Sequence, residues 1–233
     1  MRVAFGERGM SFFVPPRVET AEILDGDIPL HEALRSLDDI EWVHRELGGR
    51  RLVRRHLLPL LLSLPGERVS LLDVGCGSGH VGRDLVEEMA RRGRKARALG
   101  LDFKLAHAHR AGPLACTGDA LSLPLRSGSV DVVISTLFLH HLSPNEVETL
   151  LQEARRVARR AVLAFDLARH RVGIALAHLV GSVALGRVSR SDGPASVRQA
   201  YTAAEMRALA ERALPGARVT RAGPLVWLLV WKP

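Results

Sequence analysis

Residues 71–82, LLDVGCGSGHVG, constrain the fold of this chain more than any other segment. The apolar run before the glycines predicts a buried strand, and Val81, Leu85 and Met89 after them share one helical face. Glycines between a strand and a helix permit a tight turn and let the backbone approach a ligand closely. The segment therefore predicts a strand-turn-helix unit of an α/β sheet, with an adenosine-containing ligand at the turn.

Short apolar runs alternate with helical patterns from Ser70 to the end of the chain. This alternation predicts βαβ units and a mostly parallel sheet. Residues 143–146, Ser-Pro-Asn-Glu, form a capping box and predict the start of a helix. The two closing runs lie too close together for a helical crossover, so we expect an antiparallel hairpin. The seven expected strands are VSLLDV, ARALGLD, PLACTGDA, SVDVVIST, RAVLAFD and the two apolar runs of ARVTRAGPLVWLLVWKP.

Two segments do not fit this alternation. Residues 1–65 contain helical patterns and are expected to form a helical N-terminal extension outside the sheet, ahead of a main domain at residues 66–233. Residues 167–200 combine an apolar helical stretch with the polar sequence RVSRSDGPASVRQ, for which we expect a loop. This segment follows the fifth strand and is expected either on the substrate side or as a packing extension.

Charge and length bound the class of protein. The 233 residues are 47% hydrophobic, which supports one α/β domain with extensions. The formal net charge is +8, but the arginines are scattered. Their densest runs, residues 91–97 and 155–160, fall where helices are expected to end, and cations there are favoured by the helix dipole. Nucleic-acid binding is therefore not expected.

The cysteines and the longest apolar stretches indicate in which cellular compartment the protein is expected. Cys76 and Cys116 are too few for a disulfide framework, which predicts a reducing environment. The N-terminal sequence lacks the uninterrupted apolar core of a signal peptide, and residues 174–186 are too short to span a bilayer. We expect a cytoplasmic protein without a membrane span, and the sequence leaves its oligomeric state open.

Acidic residues follow the first three expected strands, at Asp73, Asp102 and Asp119. The carboxyl ends of parallel strands meet at the ligand edge of such a sheet. On the residues alone, two interpretations of the glycine turn stay open. Residues 77–82 spell the dinucleotide pattern G-x-G-x-x-G. An aspartate two residues before the first glycine is awkward beside a pyrophosphate and instead suits a cationic ligand.

In order and spacing, LLDVGCGSG, GLD ending at Asp102, GDALSLPLRSGSVDVVIS and LFLHHL resemble the class I S-adenosylmethionine-dependent methyltransferases. Within this family the chain is similar to the small-molecule branch related to ubiquinone and menaquinone biosynthesis enzymes. The resemblance covers residues 70–166, and VWLLVWKP resembles the family's antiparallel final strand. It implies a Rossmann-like, doubly wound, seven-stranded α/β sheet, with S-adenosylmethionine as cofactor and S-adenosylhomocysteine as product.

The resemblance also implies cofactor-binding residues. Asp73 would face the methionine ammonium, and Asp102 would accept hydrogen bonds from both ribose hydroxyls. Phe103 would lie against the adenine, and Asp119 would accept from its amino group beside the Ala120 N–H. Structural alternatives stay open, with Asp119 capping a turn and Phe103 in the core. The remaining members are Gly75, Cys76, Gly77 and Gly79 of the turn, and Ser135 and Thr136 at the methionine end.

His140 and His141 follow the fourth strand and are the candidate catalytic bases. Consecutive residues of an extended segment point in opposite directions, so we expect at most one of the two to face the acceptor. Structural support of the cofactor pocket is the alternative role. The other histidines show no metal-ligand spacing, and no metal site is assigned.

Methyl transfer from a sulfonium is an in-line displacement that mainly requires alignment of donor and acceptor. The segment STLFLH lacks the Asp/Asn-Pro-Pro-aromatic pattern of enzymes that methylate exocyclic base nitrogens. We expect a small phenolic, quinone-like or polyketide-like acceptor against an apolar wall formed by residues 174–185 and the N-terminal helices. The alternatives are an RNA methyltransferase, a nicotinamide-dependent oxidoreductase and a cofactor-binding protein without catalysis.

Overall fold

The computed structural model describes residues 13–233, and in that range the chain forms eight α-helices and seven strands. The first twelve residues of the expected N-terminal extension lie outside the described residues. The helices are α1 (Leu30–Glu46), α2 (Gly49–Leu62), α3 (His80–Ala90), α4 (Leu105–Ala111), α5 (Pro144–Val157), α6 (Arg171–Ala184), α7 (Arg187–Gln199) and α8 (Ala203–Ala213). The strands are β1 (Arg68–Val74), β2 (Lys95–Asp102), β3 (Ala115–Thr117), β4 (Val130–Thr136), β5 (Ala158–Leu167), β6 (Arg218–Gly223) and β7 (Val226–Trp231).

The seven strands form one sheet in the order β3-β2-β1-β4-β5-β7-β6. Strands β1 to β5 are parallel, whereas β7 pairs antiparallel with β5 and with β6. This arrangement confirms the doubly wound α/β sheet and the closing hairpin. The strand order changes direction between β1 and β4, and a crevice for ligands opens at such a point beyond the carboxyl ends of the strands. The loops after β1 and β4 meet there.

Helices cover both faces of the sheet because neighbouring strand residues point to opposite sides. Leu72 belongs to a buried cluster that contains residues of α5 and α8, whereas Leu71 belongs to a second cluster. That second cluster includes Leu57 of α2 and Leu85 of α3. Each fully buried leucine contributes about 1.5–3 kcal/mol. Helix α2 therefore shares the hydrophobic core of the sheet.

The expectation of a loop for RVSRSDGPASVRQ is wrong, because this sequence forms helix α7. Val188 and Val197 of this helix are buried. The Asp192 carboxylate, also buried, accepts hydrogen bonds of 2.9 Å from the backbone N–H groups of Ile23 and Leu24. These tertiary contacts outweigh the low helix propensity of the Gly-Pro pair inside the segment.

None of the helices between residues 13 and 233 is both long and apolar enough to cross a membrane.

Candidate active site

The glycine turn after β1 is tied to the end of β2. The backbone N–H groups of Gly75 and Cys76 donate to the carbonyl oxygen of Leu101 at 2.8 and 3.1 Å. Gly75 has a φ of +69°, and a Cβ at this position would lie 2.3 Å from Cγ of Phe138. Only glycine combines this backbone conformation with such a close neighbour. The two further turn glycines of the expected set, Gly77 and Gly79, also have positive φ values.

The Asp102 carboxylate holds the turn in place. Its Oδ2 accepts a 2.9 Å hydrogen bond from Gly77 N–H, and its Oδ1 accepts from Lys104 N–H at 3.0 Å. Oδ1 also lies 3.1 Å from Nδ1 of His107. A carboxylate offers about four lone-pair sites, so about one remains for a ligand. Two ribose hydroxyls would therefore have to replace one of these protein donors.

Asp73 lies beneath the start of α3, where it is 2% exposed. Burial is the main cause that raises the pKa of Asp73 to about 7; the N–H of Gly82 opposes the rise and the charge of Asp102 adds to it. Among the described residues, Asp73 Oδ1 has no hydrogen-bond partner. The side chain borders a groove of about 280 Å³ between α3 and β2. An acceptor without a partner beside the turn fits the predicted role toward an ammonium group, which stays a prediction.

The other predicted cofactor residues occupy separate positions along the ligand edge. Phe103 is 77% exposed, so its alternative role in the core is wrong. Asp119 Oδ1 accepts from Leu121 N–H at 2.8 Å, as a turn cap does. Ser135 and Thr136 are buried at the end of β4, where Ser135 Oγ donates to a carbonyl of β1 at 3.1 Å. Of the remaining two, Ala120 is buried and Cys76 is a buried free cysteine.

The two candidate bases each hydrogen-bond a carboxylate through Nδ1. For His140 the partner is Asp166, at 2.7 Å and with no exposed surface. For His141 the partner is Asp25, at 2.8 Å. Burial alone would lower the pKa of His141, but this hydrogen bond and the charges of Glu22, Asp25 and Asp166 raise it to about 9. Each imidazole is thereby oriented with only Nε2 free for other partners.

Both Nε2 atoms approach Glu22, a residue that the sequence analysis did not select. Nε2 of His140 lies 3.8 Å from Glu22 Oε1, and Nε2 of His141 lies 3.9 Å from Glu22 Oε2. The expectation that the two rings point in opposite directions is wrong, because residues Leu139–His141 form a 3₁₀ turn rather than an extended segment. Glu22, His140 and His141 form the one group of potential metal ligands found between residues 13 and 233.

One aromatic ring, that of Phe138, connects the histidine pair to the glycine turn. The Phe138 ring is the close neighbour of Gly75 and stacks on the ring of His141 with centroids 6.0 Å apart. Sequence reasoning missed Glu22, Asp25 and Asp166 in this region. Asp166 ends the run RAVLAFD, so the strand-end criterion that selected Asp102 would have found it. For Glu22 and Asp25, which precede the first long helix, no sequence signal was available.

Comparison with known proteins gives the family and the fold that the chain resembles. Residues 72–165 match the family described as a methyltransferase domain. Malonyl-[acyl-carrier protein] O-methyltransferase 1 of Coxiella burnetii (strain RSA 493 / Nine Mile phase I) is 30% identical over 130 residues, which are 56% of this chain and 42% of that protein. The match thus spans less than half of the relative.

Two solved structures share the fold. The plantazolicin methyltransferase BpumL in complex with S-adenosylhomocysteine (SAH) has a TM-score of 0.63 at 17% identity, over 85% of this chain and 89% of that one. The magnesium protoporphyrin IX methyltransferase ChlM from Synechocystis PCC 6803, with bound SAH, has a TM-score of 0.54 at 18% identity, over 90% of each chain. Residues 72–165 therefore match a methyltransferase domain, and the chain shares its fold with two methyltransferases solved with bound SAH.

Proposed function

We propose that the chain transfers a methyl group from S-adenosylmethionine to an oxygen or carbon atom of a small aromatic, quinone-like or polyketide-like acceptor. One observation carries this proposal. Phe138 lies between Gly75 of the cofactor turn and His141 of the histidine pair. Cofactor-holding and acceptor-activating groups are thus neighbours, as an in-line transfer requires.

Each part of this chain has a separate task in the reaction. Bound S-adenosylmethionine supplies an activated methyl group. The glycine turn lets the protein backbone approach the cofactor closely. Asp102 offers its remaining lone pair to the ribose, and the exposed ring of Phe103 is free to cover the adenine. Asp73 Oδ1, buried and without a described partner, is available to an ammonium group. The two histidines present Nε2 on the acceptor side because carboxylates occupy both Nδ1 atoms.

The class of acceptor is supported by apolar surface and by the relatives. Helix α6, part of the predicted apolar wall, leaves Val172, Leu176, Leu179 and Val183 exposed on one face. The relatives named above act on plantazolicin, magnesium protoporphyrin IX and malonyl-[acyl-carrier protein]. These acceptors differ widely, so they support a small-molecule class without selecting one compound.

The RNA methyltransferase alternative rests on net charge, and the arginine runs do not favour it. Arg91 and Arg92 both pair with Glu88, at 2.6 and 2.5 Å. In the second run, Arg159 and Arg160 both pair with Asp131. These four cations are already engaged by acidic side chains, so they do not form a free stripe for phosphates.

Calorimetric titration with S-adenosylmethionine, S-adenosylhomocysteine and NADH in separate runs tests the proposal first. We expect micromolar binding of both sulfur ligands and none of NADH. Binding of NADH alone would refute the proposal in favour of the oxidoreductase alternative. A fluorescence titration with an unstructured RNA then follows, and steep salt dependence of tight binding would favour the RNA alternative.

Acceptor screening follows with phenols, hydroquinones and polyketide-like aromatic compounds, with mass spectrometry of the products. We expect methylation of at least one compound, with reduced turnover in His140→Ala and His141→Ala at unchanged cofactor affinity. His109→Ala is the matched control, because this exposed histidine lies on α4, outside the predicted acceptor wall. Full turnover in both single variants and in the double variant would show that alignment alone suffices.

A further inference from the structure

Three side chains beside the cofactor turn converge without bonding one another. Glu22, His140 and His141 each offer one ligand atom, and these three atoms lie within 4.8 Å of one another. The Glu22 oxygens lie 3.8 and 3.9 Å from Nε2 of His140 and of His141, beyond hydrogen-bonding distance. Ligand atoms of a tetrahedral zinc at about 2.1 Å lie about 3.4 Å apart. Small side-chain shifts would bring this group to metal-binding distances.

Each of the three side chains is held by a further protein group. Nδ1 of His140 bonds Asp166 at 2.7 Å, and Nδ1 of His141 bonds Asp25 at 2.8 Å. Glu22 Oε1 accepts 2.6 Å hydrogen bonds from Ser196 Oγ and Gln199 Nε2, both on α7. These bonds leave Glu22 Oε2 for another partner. Histidine ligands of metals almost always donate their second N–H to a carboxylate, a carbonyl or water in this way.

The carboxylates around the two histidines also favour a bound cation. The carboxylates of Glu22, Asp25 and Asp166 surround two imidazoles, and the side chains of Glu22 and Asp166 are 5% and 0% exposed. Asp25 is half exposed, and His141 carries a proton at neutral pH because its pKa is raised to about 9, so a bound cation would replace that proton. Buried charges are costly unless they are paired or coordinate a metal. A divalent cation would offset two of the three carboxylate charges.

We propose that Glu22, His140 and His141 bind one divalent transition-metal cation, whose open coordination positions take the oxygen of the methyl acceptor. Two imidazoles and one carboxylate suit zinc, iron, cobalt or nickel rather than magnesium or calcium. Three protein ligands leave at least one position for another oxygen ligand, as in catalytic zinc sites. This assignment gives the histidines the role of ligands in place of the predicted role of bases.

The role of the metal toward the methyl acceptor rests on the proposed function, and it applies to an acceptor that carries a hydroxyl group. Coordination lowers the pKa of a bound hydroxyl, so that its proton passes to solvent and its oxygen stays on the cation as an anion. That oxygen then forms the new bond to the methyl carbon while the carbon–sulfur bond breaks. The electron pair of the broken bond remains on sulfur, which leaves neutral S-adenosylhomocysteine. No oxidant or reductant is needed.

Metal binding is measured on the full chain without an affinity tag, after chelator treatment and desalting, with Zn²⁺ in calorimetry and Co²⁺ in visible absorption. We expect one ion per chain, and an at least tenfold loss of affinity in His140→Ala, His141→Ala and Glu22→Gln. His109→Ala should bind like the wild type. Asp25→Asn keeps all three ligands and alters an exposed partner, so it should fold normally and lose about tenfold in affinity.

The absence of saturable binding in the wild type would overturn the proposal even if every ligand variant failed to fold. Unchanged affinity in folded variants would do the same, because the ions would then bind elsewhere. These titrations need neither cofactor nor acceptor, so their outcome is independent of the proposed methyl transfer. Once an acceptor is known, chelated enzyme should lose turnover and regain it with added Zn²⁺ or Co²⁺, while full turnover without metal would overturn the acceptor role.

Discussion

Replacement of Asp73 by asparagine should stabilise the protein at neutral pH. The carboxyl group lies beneath α3, 2% exposed, and its Oδ1 has no partner among the described residues. Burial favours the neutral acid and raises its pKa from 3.8 to about 7. Asparagine has nearly the same shape and carries no charge, so the variant removes the cost of the buried anion while keeping the packing under the helix.

The magnitude follows from linkage between protonation and folding. A rise from 3.8 to about 7, at about 1.4 kcal/mol per pH unit, corresponds to about 4 kcal/mol. Between these two pH values the folded protein holds a proton that the unfolded chain has lost, so stability falls as the pH rises. Below 3.8 both states are protonated and the effect vanishes. The advantage of Asp73→Asn should therefore be about 2 kcal/mol at pH 5 and about 4 kcal/mol at pH 8.

Urea unfolding of both proteins between pH 5 and pH 8, followed by circular dichroism, measures this difference. The exposed Asp27→Asn provides the matched control and should change stability by no more than about 0.5 kcal/mol at any pH. A constant difference between Asp73→Asn and the wild type across the range would refute the reasoning. The variant should also bind S-adenosylmethionine more weakly, because an ammonium group would lose its anionic partner, and calorimetry at pH 8 measures this loss.

Three further predictions concern the turn and the core. Asp102→Ala should weaken S-adenosylmethionine binding more than tenfold in calorimetry, because the ribose loses its acceptor and the N–H of Gly77 loses its anchor; unchanged affinity would remove Asp102 from the site. Gly79→Ala should destabilise the fold by at least 1 kcal/mol more than Gly93→Ala in urea unfolding. Both glycines have a φ near +70°, but only at position 79 would a Cβ meet another atom within 4 Å, at 2.9 Å, so equal losses would contradict that close approach. Trp227→Ala should cost about 3–5 kcal/mol of unfolding free energy, since this ring is 1% exposed, and a loss below 1 kcal/mol would show that the core refills the space.

The sequence by itself determined the strands, the helix that starts at residue 144 and the glycine turn after β1. Each of these depends on local properties. Burial of alternate or consecutive residues sets a strand, a capping box satisfies the first N–H groups of α5, and the tight turn at Gly75 requires a positive φ. The strand-end rule also selected Asp102, because parallel strands carry their carboxyl ends to one edge. These features need no knowledge of distant contacts.

Only the tertiary structure decided which side chains surround His140 and His141. Glu22 and Asp25 reach the histidine pair because Asp192 of α7 binds the N–H groups of Ile23 and Leu24. Helix α7 itself looks like a loop in the sequence, since its polar residues are stabilised by partners far away in the chain. Which side chains meet across such distances depends on how whole helices pack, and no local periodicity encodes it. For that reason the glycine turn was predictable from the sequence, whereas the cluster of Glu22, His140 and His141 was not.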